Sequence, residues 1–196
     1  MNYKGKVLIK NILNIILFTI NIVGIIISCE LFSFFYRLKK SGKAEEIGKF
    51  LEDGMETKGF KNTYKTTVML FIICSAVVTA IFLYFLYKLF QSMSESRNID
   101  IGIRYVLGYR KEKVLLTELG YGMSAVIMAE ALAVPLSLVA FNFIEKIKSV
   151  AAMIRSAEMI FFKWDVCIVC LIVVAVLLTV NIAVRVQAKY GYSKQQ

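Results

Sequence analysis

Histidine is absent from this chain of 196 residues, and proline occurs once, at Pro135. Without histidine, the Cys167-x-x-Cys170 pair lacks the imidazole partner that is common in zinc and redox sites. The pair also lies in an apolar run, as do Cys29 and Cys74 within or at the edge of theirs. We therefore interpret the cysteines as small apolar residues and expect neither a disulfide framework nor a metal site.

A phosphate-binding loop is also missing. Gly42-Lys43 and Gly48-Lys49 do not have the spacing of such a loop, and Phe50 stands where serine or threonine would coordinate magnesium. No other stretch fits the pattern. We therefore expect that the chain is not an enzyme and binds no cofactor itself.

Apolar residues make up 58% of the chain, which is more than an ordinary soluble domain contains. Four apolar runs reach the roughly 20 residues that a helix needs to cross a bilayer. The sequence predicts an all-α integral membrane protein with a single domain over 1–196. Its predicted parts are four transmembrane helices (7–28, 66–90, 114–141, 166–184), an outer insert (29–65), a coupling helix (93–108) and an outer interfacial helix (142–165).

The net charge of +10 comes from lysines and arginines at the ends of the apolar runs, which indicates a membrane surface rather than a nucleic acid. Four spans place both termini and the middle loop on one side. That side and the other carry twelve lysines and arginines each, but the first has fewer residues and hence a higher density. We therefore expect both termini to be cytoplasmic.

The two segments on the other side have their own patterns. The apolar pattern of the first helix continues through Tyr36, which predicts a helical stalk beyond the membrane. Ile26-Ile27-Ser28-Cys29 also resembles a lipoprotein cleavage box, which would remove the first span. Before the fourth span, an apolar stripe and the aromatic residues Phe161, Phe162 and Trp164 are typical of an interfacial helix. An ordinary connecting helix would fit the same stripe.

The middle loop contains a short two-faced helix pattern. Ser92-Met93-Ser94-Glu95 has the form of a capping box and predicts the start of this helix, while Gly108 predicts its end. At 100° per residue, one face carries Ile99, Gly102, Ile103, Val106 and Leu107. The opposite face carries Arg97, Asp100 and Arg104, of which the last two are spaced for an ion pair. This predicts either docking of a cytosolic partner or an interfacial anchor.

The same stretch resembles the signature of the FtsX-like permeases of ABC transporters. In that family an arginine and a spacer precede Ile-Gly-Ile, followed by Arg-Ala-Leu-Gly and a glutamate early in the third span. Here Ile101-Gly102-Ile103 is followed directly by Arg104-Tyr105-Val106-Leu107-Gly108, and Glu118 comes later. Tyr105-Val106 departs from the family's small residue, and the chain has no large outer domain.

The resemblance implies a permease subunit in a bacterial plasma membrane that pairs with a second permease chain, identical or different. It implies a cytosolic ABC ATPase that binds ATP and magnesium, and it assigns the contact with that ATPase to the coupling helix. The implied residues are Arg97, Ile99, Ile101, Gly102, Ile103, Arg104, Leu107 and Gly108. Family members export peptides or macrolides, remove lipoproteins or antimicrobial peptides, or activate cell-wall enzymes.

Among the polar residues within the predicted spans, Glu118, Glu130 and Asn21 are candidate functional residues. Glu118 is near the cytoplasmic end of the third span, where Arg110, Lys111 or a partner chain would neutralise it. Glu130 lies five residues before Pro135 and fits either an outer cleft for a cationic peptide or a hydrogen bond to a neighbouring helix. Asn21 and Asn14 share a face of the first span, which predicts a contact with a second subunit.

These observations predict that the chain couples ATP hydrolysis in a separate subunit to export or removal of a peptide-like substrate. Mechanical signalling to an outer cell-wall enzyme is the alternative within the same family. A small membrane immunity or interaction protein without an ATPase is the alternative from a different class. The coupling helix distinguishes these classes, because an immunity protein has no need of it.

Overall fold

A computed structural model describes residues 3–40, 60–95, 97–146 and 162–191. The predicted elements at 41–59 and 147–161, which include both Gly-Lys pairs and much of the predicted interfacial helix, lie outside the described residues. The described chain forms five helices. They are α1 (Tyr3–Lys40), α2 (Phe60–Glu95), α3 (Asn98–Val106), α4 (Lys111–Glu145) and α5 (Trp164–Gly191).

Helices α1, α2, α4 and α5 are long and apolar enough to cross a membrane, which confirms the prediction of an all-α membrane protein with four spans. Each helix is longer than the span predicted for it. Helix α1 continues to Lys40, so the predicted continuation of the first helix through Tyr36 is confirmed, and its extension beyond the membrane stays a prediction. Helix α4 runs without interruption through Pro135. Hydroxyl groups within the spans donate to their own helix, as Thr19 does to the Ile15 carbonyl at 2.8 Å.

Two compact units make up the chain. The first is built from the described residues within 1–22, 83–133 and 171–196, and it contains all of α3. Its core includes Phe18 and Phe90, whose ring centroids are 5.2 Å apart, and α4 meets α5 where Gly122 faces Leu178 and Ile182. The described residues near both termini thus belong to the same unit as the segment between the second and third spans.

The second unit is built from the described residues within 23–82 and 134–170. Phe35 stacks on Phe71 with centroids 4.9 Å apart, and the Thr79 hydroxyl donates to Ser28 Oγ at 2.9 Å. Glu30 lies within the predicted outer insert and is fully buried in α1. Its Oε1 accepts a hydrogen bond from the Lys163 backbone N–H at 3.1 Å, so it joins α1 to the residue that precedes α5.

Gly24, in the second unit, lies against the ring of Phe82. A β-carbon there would lie 2.5 Å from the ring of Phe82, so Gly24→Ala forces the ring to move. We expect a loss of about 1–3 kcal/mol, which is typical of overpacking. Gly120→Ala is the matched control, because a β-carbon at Gly120 meets no atom within 4 Å. Thermal denaturation in detergent should show a lower midpoint for Gly24→Ala. The midpoint should recover in Gly24→Ala/Phe82→Leu, and the control should show an unchanged or higher midpoint. Equal midpoints for the two alanine variants would contradict the close contact.

Candidate partner-docking site

Helix α3 begins later than the sequence predicted. Ser92 and Glu95 belong to the last turn of α2, so the predicted capping box does not start a helix. The Glu95 carboxylate accepts a hydrogen bond from Gln91 Nε2 at 3.0 Å along α2, instead of reaching back to the Ser92 backbone. The first backbone bond of the short helix runs from the Ile101 N–H to the Arg97 carbonyl at 3.1 Å. The predicted helix over 93–108 therefore shortens to 98–106.

The end of α3 has the geometry of a Schellman motif. Gly108 has a φ of +76°, a left-handed conformation that favours glycine. Its N–H donates to the Tyr105 carbonyl at 2.9 Å, and the Tyr109 N–H donates to the Arg104 carbonyl at 3.1 Å. The prediction that Gly108 ends the helix is confirmed. The turn leaves only Tyr109 and Arg110 between Gly108 and the start of α4.

One face of α3 is attached to α4 through an ion pair. The Arg97 guanidinium contacts Glu118 of α4 twice, with Nε 3.0 Å from Oε2 and Nη2 donating to Oε1 at 3.2 Å. These side chains are only 17% and 7% exposed. Arg97 also lies over the ring of Tyr121, 3.9 Å from its centroid. The guanidinium thus combines one hydrogen bond, a second close contact with the carboxylate and stacking on a ring, and together these hold the start of α3 in a defined position.

Ile101 and Arg104 continue the same face, because positions 97, 101 and 104 are one helical turn apart. Ile101 is buried at 3% exposure. With Arg97, Glu118 and Gly122 it borders a cavity of about 20 Å³, which is closed on the α5 side by Ile182, Arg185 and Val186. Arg104 Nη1 lies 3.7 Å from Glu118 Oε1. Glu118 is thus neutralised by Arg97 and Arg104, and the prediction of Arg110 or Lys111 is wrong.

The opposite face of α3 is apolar and exposed. Its side chains make few contacts with the described residues. The exposed fractions are 74% for Ile99, 54% for Ile103, 82% for Val106 and 67% for Leu107. A β-carbon at Gly102 would meet no atom within 4 Å. We name Ile99, Gly102, Ile103, Val106 and Leu107 the apolar face of α3. The residues predicted to form one face do so, and that face points away from the rest of their unit.

The polar face of α3 carries the contacts with Glu118 of α4. The predicted ion pair between Asp100 and Arg104 is wrong, because Arg104 turns to Glu118 and Asp100 remains exposed. The sequence left open which face of α3 rests on the membrane helices. It is the arginine-bearing face, because a carboxylate within an apolar span needs cations and these are the cations within its reach.

Two of the predicted intramembrane residues are not part of this site. Asn21 is buried within its own unit, and its Nδ2 donates to the Leu17 carbonyl at 2.8 Å. The Asn21 side chain is therefore not on the outside of α1, where a contact with a second subunit would need it. Glu130 has a buried Oε1 that accepts no hydrogen bond from the described residues. The alternative in which a neighbouring serine or asparagine satisfies Glu130 is thus not found there.

Tyr121 is a site residue that the sequence analysis missed. It follows Glu118 by three positions, so both side chains project from one side of α4, and the ring supports the guanidinium that the carboxylate binds. The sequence pattern that could have revealed Tyr121 is the similar spacing of contact residues along the two helices. Arg97, Ile101 and Arg104 repeat on one face of α3, while Glu118, Tyr121 and Gly122 repeat on one face of α4.

Comparison with known proteins adds no relative. No protein-family model, no curated protein and no solved structure matches this chain.

Proposed function

We propose that this chain is the membrane-spanning permease subunit of an ABC transporter of the FtsX-like type. A separate cytosolic ATPase subunit would bind the apolar face of α3 and hydrolyse ATP. The movement would pass through α3 to the membrane helices, and the task would be export or removal of a peptide-like substrate. The resemblance of residues 97–118 to the family signature is the sequence support for this proposal.

The observation that carries the proposal is the apolar face of α3. The helix lies outside the apolar windows of the flanking spans, which cover Thr66–Met93 and Lys111–Glu145. Full burial of an aliphatic side chain is worth about 1.5–3 kcal/mol, so four exposed ones represent a considerable gain for any protein that covers them. The ion pair on the other face fixes α3 to α4, and this is what a helix that transmits force requires.

The position of α3 in the chain supports a cytosolic partner. It belongs to the same compact unit as the described residues near both termini. If the density of lysine and arginine sets the orientation, α3 faces the cytoplasm of a bacterium. Labelling of a single cysteine at position 108 by an impermeant maleimide in intact cells would contradict this orientation.

Of two other functions, one is separated from the proposal by a purification experiment. Signalling to an outer cell-wall enzyme would use the same ATPase, whereas a membrane immunity protein would use none. We expect affinity purification of the tagged chain from native membranes to recover an ATPase with a phosphate-binding loop, in a fixed ratio to the chain and together with a second permease subunit. Purification of the intact chain without any ATPase, under several mild detergents, would favour the immunity function and contradict the proposal.

A further inference from the structure

A second cavity lies beside the C-terminal end of α3. It has a volume of about 380 Å³, within the range of roughly 300–1,000 Å³ typical of small-ligand sites. Its described lining comprises two basic, two hydroxyl-bearing and two aliphatic residues, and none of these is acidic. The lining residues are Arg104, Leu107, Tyr109, Lys113, Val114 and Thr117. We name this the basic cavity.

The basic cavity has an excess of positive charge. Glu118 is the carboxylate nearest to Arg104, and Arg97 already binds both of its oxygens. Arg104 reaches that carboxylate through one Nη at 3.7 Å, which is longer than a hydrogen bond and leaves its other N–H groups available. Lys113 lies over the Tyr109 ring at 5.7 Å, which positions the ammonium without neutralising it. One carboxylate therefore serves two arginines, and Lys113 adds a third positive charge.

The location of the basic cavity indicates the kind of anion. Lys113, Val114 and Thr117 lie in the first two turns of α4, where that helix enters its apolar span. The free N–H groups at a helix N-terminus add positive potential to the same region. Leu116, beside Thr117 on α4, is 69% exposed and would face acyl chains in a bilayer. An anionic group with an apolar tail can satisfy both surfaces at once.

We propose that the basic cavity binds the phosphate of an anionic phospholipid from the adjacent leaflet. Arg104 and Lys113 hold the phosphate oxygens, Tyr109 and Thr117 line the site, and the acyl chains follow α4 past Leu116. The bound lipid supplies the negative charge that Arg104 lacks and fixes the end of α3 at the membrane surface. The site needs no ATPase, so it can be tested independently of the proposed transport function.

The test compares lipid binding by the purified chain in detergent, measured by native mass spectrometry. The probes are dioleoyl phosphatidylglycerol and dioleoyl phosphatidylcholine, which share acyl chains and differ in headgroup charge. We expect phosphatidylglycerol to bind more tightly. Lys113→Gln should weaken its binding about fivefold, since a basic residue near an anionic surface contributes about 1 kcal/mol. Lys111→Gln removes the same charge from the same helix end but does not line the cavity, and it should change binding less than twofold.

Other outcomes would overturn either the site or the identity of its ligand. Equal effects of Lys113→Gln and Lys111→Gln, or equal binding of the two lipids, would overturn the site. Displacement of phosphatidylglycerol by millimolar inorganic phosphate would identify a free phosphate as the ligand and overturn the lipid assignment. A Lys113→Gln variant that loses a protein partner but keeps wild-type preference for phosphatidylglycerol would show that the cavity binds an acidic protein instead. Thermal denaturation of each variant establishes that it is folded, and Tyr109→Phe provides a second change in the same cavity.

Discussion

Aspartate in place of Val106 or Leu107 should eliminate co-purification of the ATPase without lowering the amount of the chain in the membrane. Both side chains are largely exposed, so a carboxylate costs the isolated chain little. In the complex it would be buried without a partner or would have to take up a proton, at a cost of several kcal/mol. A loss of 3 kcal/mol corresponds to about a 150-fold weaker complex. Gly102→Trp should have a similar effect, because it fills the open space over the apolar face.

The control for this prediction is Val106→Thr, which keeps the shape of valine and adds no charge. It should retain most of the ATPase, measured as the ratio of the two proteins in purified samples and as ATP hydrolysis in proteoliposomes. Val106 does not line the basic cavity, so its effect is separable from lipid binding. If Val106→Asp and Leu107→Asp both keep a normal ratio and normal hydrolysis, the partner binds elsewhere and the proposed function loses its main support.

Arg97→Ala should release α3 from α4. Removal of one partner of a buried ion pair typically costs about 3–5 kcal/mol. The Arg97 and Glu118 side chains are so little exposed that we expect a cost close to this range. Ile101 reports the release, because it is buried in the attached state. In a background without the native cysteines, a cysteine at position 101 should react slowly with maleimide, and Arg97→Ala should speed the reaction at least about tenfold.

A cysteine at position 99 is the matched control, because Ile99 is 74% exposed and should react rapidly with or without Arg97. Combining Arg97→Gln with Glu118→Gln should restore part of the protection at position 101, because no buried charge is left without a partner. Slow labelling of position 101 in Arg97→Ala would show that apolar contacts alone hold α3. Arg104→Ala should have a smaller effect, because its contact with Glu118 is longer.

The long helices were predictable because each contains a long run of apolar residues. About 20 consecutive apolar residues leave few alternatives to a membrane-crossing helix. Gly108 was predictable for a different reason, since a left-handed residue at a helix end is a local requirement that glycine meets best. In both cases the interactions that determine the structure lie within one short segment of the chain. A sequence pattern describes such a segment completely.

The start of α3 was not predictable from its pattern. Ser92 and Glu95 satisfy the capping pattern, but α2 continues through them and uses the Glu95 side chain along its own axis. The partner of Glu118 was also missed, since nearby cations at 110 and 111 look better placed in sequence than Arg97, which is 21 positions away. Packing of α3 against α4 determines that pair, and this contact depends on the turn at Gly108.

The connections of α3 also determine how stiffly it can act on its neighbours. Two residues separate it from α2, and a closed turn followed by two residues separates it from α4. Long flexible loops would absorb a displacement through changes in their own backbone angles, but links this short have few angles to change. The ion pair to Glu118 adds a second attachment on α4, so a rotation of α3 becomes a torque on that span. A glycine-serine insertion after Tyr109 would therefore separate binding of a partner from its mechanical effect: the partner would still bind, and the span would no longer follow.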